Sequence, residues 1–280
     1  MTYQTFWKRL AAVCGENEAK AVARMVFEDR CGLSLADVFV GKDSQLSAEQ
    51  GAELEEILGR LLQNEPVQYV LGWADFCGHR FAVEPGVLIP RPETEELCEW
   101  VKVSVAGRPE LRILDACCGS GCIGIALALG LPGTRVSMYD ISPVACRVSQ
   151  FNAAALSASV NVFRHDARQP LPAEANRFDV VVSNPPYITP EERSEMERNV
   201  LDHEPELALF VPGDQPLVYY AAIAAQAKEV LKPGGMVFFE INPKFVAQMQ
   251  ETLSAAGFGS IEVRMDGFGR QRMMKAICLK

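Results

Sequence analysis

Asn184, Pro185, Pro186 and Tyr187 follow one another in the chain, and together they place hydrogen-bond acceptors on a stiff frame. The two prolines fix φ and remove both N–H donors, so the turn offers carbonyl oxygens and the Asn184 side chain to whatever lies against it. Acceptors held in this way suit a planar NH2 group. The residues just before them, 178–183 (FDVVVS), form an apolar run that reads as a buried parallel strand. Open α/β sheets hold ligands at the carboxyl ends of such strands. On these four residues alone, a rigid structural turn is an equal alternative.

A second constellation lies upstream. Asp115, Ala116, Cys117, Cys118, Gly119, Ser120 and Gly121 separate a short apolar strand from an apolar helix that starts near Ile123. Glycines there let a backbone approach a bound nucleotide closely and supply N–H groups at a helix start. Asp140 closes the next strand, 25 positions after Asp115. In nucleotide-binding folds an acidic residue at a ~20-residue offset accepts hydrogen bonds from ribose hydroxyls. The competing role for Asp140 is a cap for the helix beginning near Ser142 and Pro143. Cys117, Cys118 and Cys122 cluster, but no histidine or second cysteine pair stands at zinc-ligand spacing, so they read as small fillers of a tight turn. His79, His165 and His203 belong to no ligand or triad pattern and read as structural.

These groups need a scaffold. Residues 112–115, 135–140, 161–165, 180–183 and 236–240 read as strands with helical segments between most of them, a doubly wound parallel sheet. Residues 261–265 and 273–279 lie too close together for a helical crossover and should pair antiparallel. Lys232-Pro233-Gly234-Gly235 reads as a turn before a strand. Ahead of the sheet, residues 73–89 carry Phe76, Phe81, Val83 and Val87 among turn formers, as a β-hairpin would. The first ~65 residues are helical in pattern. Leu54, Ile57, Leu58, Leu61 and Leu62 make one stripe, with Ser47 and Gln50 as a capping box and Pro66 as its stop. Phe6, Leu10 and Val13, then Val22, Met25 and Val26, give one or two more helices. The expected division is a helical docking domain over 1–72, a hairpin connector over 73–90 and a catalytic domain over 91–280.

Composition narrows the class of partner. The net charge of −9 is shared: residues 1–90 hold 8 basic against 13 acidic side chains, and the remainder hold 19 against 23. Neither part has the basic stripe of a protein that grips nucleic-acid phosphates, so a protein or small-molecule substrate is expected, with no direct nucleic-acid partner. No apolar run approaches the ~20 residues of a membrane span, and the first ten residues lack the apolar core of a signal peptide. Nine cysteines without a C-x-x-C pair fit reduced thiols. A cytoplasmic monomer is the expectation.

Several spaced segments now combine: Gln68-Tyr69-Val70-Leu71-Gly72, the string from Val87 to Glu95 (VLIPRPETE), the glycine loop, Asn184 to Tyr187, and His203 to Leu209 (HEPELAL). Together they resemble the PrmC (HemK) family, which methylates a glutamine side chain in class I peptide-chain release factors. The resemblance implies a class I methyltransferase Rossmann-like sheet with an antiparallel carboxyl-terminal hairpin, and S-adenosylmethionine as cofactor. It carries cofactor binding to Asp115, Cys117, Cys118, Gly119, Ser120, Gly121, Asp140, Asp166, Ala167 and Asn184. Cys117 stands where the family pattern usually has its first loop glycine, a position that need not have positive φ if cysteine is accommodated. The string 240–242 reads E-I-N where relatives often have E-I-G, with no chemistry assigned to it.

The resemblance places the reaction at the NPPY turn. A carboxamide nitrogen is a poor nucleophile because its lone pair is delocalised into the carbonyl. The Asn184 side-chain oxygen and the Pro185 carbonyl would accept its two N–H bonds, aim it at the methyl group and stabilise the charge that develops. Pro186 would complete the substrate site and Tyr187 would pack its ring on the target amide. Arg91 and Glu93 either line the pocket mouth or form a salt bridge there. Two rival activities share the turn: methylation of a ribosomal-protein glutamine, and of adenine in DNA.

Overall fold

The computed structural model describes residues 1–171, 178–213 and 215–279. The chain divides into two compact units: Met1–Trp73 together with Glu197–His203, and Ala74–Met196 together with the residues from Glu204 onward.

The smaller unit is helical. Helices Tyr3–Cys14, Glu16–Cys31 and Ala48–Leu61 are its principal elements. Ser47 accepts from the Gln50 N–H while the Gln50 side chain returns to the Ser47 N–H, the reciprocal cap read from the sequence. Phe6, Leu10, Val26, Phe27, Leu54 and Leu58 form the buried core. Glu16–Cys31 presents Ala19 and Ala23 to that core, leaving Val22 and Met25 only partly buried. Its inner face is therefore rotated from the one marked by the larger apolar residues, because small side chains let two helices approach closely. The short helix Arg198–His203, which follows the NPPY turn in sequence, belongs to this unit and sets His203 Nε2 3.1 Å from the Gln63 carbonyl.

The larger unit begins at Ala74, inside a hairpin of β1 (Trp73–Phe76) and β2 (His79–Ala82). Phe76 and Phe81 meet edge to face at 5.9 Å and are buried in the main core of this unit. The sheet comprises β3 (Arg112–Ala116), β4 (Arg135–Asp140), β5 (Val160–Arg164), β6 (Phe178–Ser183), β7 (Leu231–Glu240), β8 (Phe258–Met265) and β9 (Gln271–Cys278), in the order β5-β4-β3-β6-β7-β9-β8. Strands β3 to β7 pair in parallel, and β9 runs antiparallel to both β7 and β8.

Side-chain alternation builds two cores from one sheet. Ile113, Val180, Val182 and Phe238 face helices Pro92–Ser104 and Cys122–Gly130 through Leu97, Trp100, Ile123 and Leu127. Their neighbours Leu114, Val181, Val237 and Phe239 face helices Val218–Val230 and Val246–Ala255 through Tyr220, Ile223, Met249 and Leu253. Every residue of β6 is buried, as a central parallel strand requires. The Lys232–Gly235 string is not a turn ahead of β7 but lies within it. Pairing jumps from Phe178↔Leu231 to Val180↔Met236, so the extra residues bulge, with Gly234 at φ 73°. Lys232 anchors the bulge through Asp179, 2.8 Å away.

From β3 the chain winds outward through β4 to β5, then returns to the other side of β3 with β6. Topology therefore reverses between β3 and β6, and a crevice opens above their carboxyl ends. Ser183 Oγ donates to the Ala116 carbonyl at 2.6 Å, tying those two strand ends together.

Candidate active site

The crevice widens into a cleft that is open to solvent. Its wall takes in Cys117 to Ser120, Asp140, Asp166, Ala167, Asn184 and Pro186. Asp115, Gly121, Pro185 and Tyr187 lie outside the wall. Most of the residues singled out from sequence thus converge.

The glycine loop is shaped by backbone bonds. Cys118 N–H reaches the Tyr139 carbonyl at 2.9 Å, and Gly121 N–H closes a tight turn onto the Cys118 carbonyl at 2.7 Å. Gly119 has φ 54° and open space where a Cβ would stand, on the cleft side. Gly121 has φ 81°, and a Cβ there would sit 2.9 Å from Ser149 Cβ, so this glycine serves close packing. Cys117 also adopts the left-handed region, at φ 60°. The position need not have had positive φ, yet it does: cysteine stands at the usual glycine position without relaxing the turn, at a cost of about 1 kcal/mol or more. Burial pushes the Cys117 and Cys118 thiols up and the Cys122 thiol to about 12, so all three are neutral and none is a thiolate nucleophile.

Asp115 lies wholly buried behind the loop. Its Oδ2 accepts from Gly124 N–H at 2.9 Å in the first turn of the following helix, while Oδ1 has no hydrogen-bond partner. Burial lifts this carboxyl to about 8, only partly opposed by the Gly124 bond. Asp140 faces the cleft. Its Oδ2 takes the Gly119 N–H and its Oδ1 the Ser142 N–H, each at 2.9 Å, and burial raises its pKa against these bonds. Ser142, not Asp140, caps the next helix by accepting from Ala145. Asp166 pairs with Arg168 at 2.8 Å, which lowers the Asp166 pKa. Behind it a buried amide fixes the loop: Gln226 Nε2 donates to the Ala167 carbonyl, and Gln226 Oε1 accepts from Tyr139.

At the NPPY turn, Asn184 Nδ2 lies 3.4 Å from Thr94 Oγ1, and Thr94 donates to Glu240 Oε2 at 2.6 Å. The Tyr187 hydroxyl donates to the other oxygen of the same carboxylate at 3.0 Å, and burial and Glu240 raise the tyrosine pKa. The ring packs against the core beside β7 and not against the cleft, because the hydroxyl finds its partner at the end of that strand. Asn242 donates to the Tyr187 carbonyl and to Glu192. The E-I-N string, assigned no chemistry from sequence, therefore anchors the NPPY turn through both of its polar residues. Ile188 N–H reaches the Leu209 carbonyl, linking the turn to the HEPELAL segment. In that segment Glu204, buried, accepts from Ile89 N–H and pairs with Arg91. Arg91 fulfils both of its expected roles, since it also lines the cleft; Glu93 does not line it.

Two family models match the chain: PrmC N-terminal domain over residues 4–72 and Methyltransferase small domain over residues 97–207. The release factor glutamine methyltransferase of Bacteroides thetaiotaomicron is 44% identical over 260 residues, 92% of each chain. That of Flavobacterium psychrophilum is 35% identical over 98% of this chain and 97% of its own. The chain belongs to the family of release factor glutamine methyltransferases. Its fold is that of class I methyltransferases. The 16S rRNA methyltransferase RsmC of Thermus thermophilus superposes with TM-score 0.54 at 20% identity, covering 74% of this chain and 49% of its own. A Pyrococcus furiosus methyltransferase gives 0.54 at 14% identity, covering 81% and 100%. In this family member, sequence reasoning missed Thr94, Asn152, Glu204, Gln226 and Glu240. Each is a buried polar residue whose type alone marked nothing, although Thr94 and Glu204 stand inside strings that carried the resemblance.

Proposed function

We propose that the protein transfers a methyl group from S-adenosylmethionine to the side-chain nitrogen of the glutamine in the Gly-Gly-Gln loop of class I release factors. The observation that carries this reading is the placement of the Asn184 acceptor and the Asp140 carboxylate in one cleft, above the ends of β6 and β4, the two strands that flank β3. The cleft fits the cofactor. Asp140 would accept from the ribose, the open face of Gly119 gives its backbone room, and Ala167 and Tyr219 offer an apolar wall for the adenine ring beside Asp166. Bound there, S-adenosylmethionine supplies an electrophilic methyl on a sulfonium and keeps the electron pair of the broken C–S bond as a neutral thioether.

The remaining work belongs to the chain. Asn184 Oδ1 and the Pro185 carbonyl accept the two N–H bonds of the glutamine amide and turn its nitrogen toward the methyl carbon. As the N–C bond forms, positive charge grows on the nitrogen and both acceptors strengthen their hold. One of the nitrogen's own two protons then leaves to water. A strong base is not required, and neither neutral thiol nor histidine enters the step. Pro186 shapes the wall, while Tyr187 acts from behind it by fixing the turn to Glu240.

Docking of the intact factor is assigned to the helical segment 1–72, with 73–90 as connector and 91–280 as catalytic domain. The enzyme acts as a cytoplasmic monomer without a nucleic-acid partner; no described helix is long and apolar enough to cross a membrane. The test is mass spectrometry of purified release factor and ribosomal proteins after incubation with enzyme and S-adenosylmethionine. One methyl on the Gly-Gly-Gln glutamine is the expected product. Modification of a ribosomal protein or of DNA instead would overturn the assignment.

A further inference from the structure

Glu240 is fully buried at the end of β7, and each of its carboxylate oxygens receives one hydroxyl, from Tyr187 and from Thr94. An ionised carboxylate can only accept. Thr94 has one hydroxyl proton, and that proton is committed to Glu240 at 2.6 Å. What Thr94 Oγ1 has left for Asn184 is a lone pair, 3.4 Å from Nδ2. An amide that faced Thr94 with its oxygen would set two lone pairs against each other. Among the described residues, Asn184 Oδ1 has no hydrogen-bond partner in the protein.

We propose that Thr94 and Glu240 are positioning residues that fix which way the Asn184 amide is turned, keeping its NH2 on Thr94 and its oxygen free to accept from the substrate. The proposal rests on the reading of Asn184 as the substrate acceptor. A free asparagine side chain flips between two nearly isosteric orientations, and only one of them presents an acceptor to an incoming NH2 group. With the amide reversed, its own NH2 would meet the donors of the glutamine. The Glu240–Thr94 bond removes that unproductive state before substrate arrives, which is preorganisation of a contact made in the transition state. Glu240 holds Tyr187 with its other oxygen, so one buried carboxyl group reaches Tyr187 directly and Asn184 through Thr94.

The test compares Thr94→Val, Thr94→Ser and Asn184→Ala, alone and combined, in steady-state methylation of intact release factor, with cofactor affinity measured by calorimetry. Thr94→Val keeps the shape and removes the lone pair. Its kcat should fall about tenfold, the scale of one neutral hydrogen bond in the transition state, with KM and cofactor affinity within about twofold. Thr94→Ser should restore kcat to within about twofold of wild type. In the Asn184→Ala background, Thr94→Val should change nothing further, because the group it orients is gone. Wild-type kcat in Thr94→Val, or a further tenfold loss in the double variant, would overturn the orienting role. Should Thr94→Val not fold, Thr94→Cys, whose sulfur is a weak acceptor, carries the same comparison. The two readings fail separately. Undiminished kcat in Asn184→Ala defeats the acceptor role itself, whereas loss in Asn184→Ala with none in Thr94→Val defeats only the orienting role.

Discussion

Asn152 Nδ2 lies 2.9 Å from the carbonyl oxygen of Ser120, so a helix residue behind the glycine loop holds that loop by its backbone. The same side chain brackets Ala82 of the hairpin, donating to its carbonyl and accepting from its N–H. One buried amide thus ties the end of β2 to the loop that lines the cleft. Asn152→Asp puts acceptors where two donors were needed. It should destabilise the protein by about 2 to 3 kcal/mol and weaken S-adenosylmethionine binding. Urea unfolding and calorimetry measure the two effects, and wild-type values in both would show that the bracket is dispensable.

Asp140 carries the ribose assignment while also bonding the N–H groups of Gly119 and Ser142. Asp140→Ala should reduce cofactor affinity by about 1.5 to 3 kcal/mol, the range for hydrogen bonds to a charged group. Calorimetry on the folded variant decides the matter; unchanged affinity removes Asp140 from the cofactor contacts.

Asp115 gives a pH dependence whose sign follows from its burial. Its carboxyl titrates near 8 in the folded chain, far above the usual carboxylate range of the unfolded one. Between those values the folded state keeps a proton that the unfolded state has lost. Stability is therefore fullest below the unfolded value and declines as pH rises toward the folded one, by at most about 1.4 kcal/mol per pH unit for a single group. Asp115→Asn retains an acceptor for Gly124 and abolishes the titration. From about pH 5 to pH 8, wild type should lose stability relative to this variant in urea unfolding. Parallel pH profiles would mean that Asp115 ionises normally.

Cys117 at φ 60° sets an order among its replacements. Cys117→Gly removes roughly 1 kcal/mol of left-handed strain and adds a similar entropic cost in the unfolded chain, so its stability should match wild type within about 1 kcal/mol. Cys117→Val, β-branched, should lose about 2 kcal/mol or more. A valine variant as stable as the glycine one would show that the loop relaxes to negative φ.

The sequence by itself determined the sheet, its antiparallel tail and the place of the cleft. Those features rest on local periodicity and on backbone chemistry. Runs such as 178–183, apolar at nearly every position, suit a strand buried on both faces, and two prolines after a strand make a stiff acceptor turn wherever that strand lies. The reciprocal cap of Ser47 and Gln50 was legible for the same reason, since its partners stand three residues apart. Family resemblance, carried by spaced strings, added the substrate and cofactor. Tertiary structure alone decided how the site is held. Thr94 and Glu240 are 146 positions apart in the chain, and Asn152 and Ser120 are 32 apart. A buried hydroxyl or carboxylate takes its partner from whatever the packing brings within about 3 Å, and no local pattern records that choice. Tyr187 points the same way: its ring could face the cleft or the core, and the carboxylate at the end of β7 settled it toward the core.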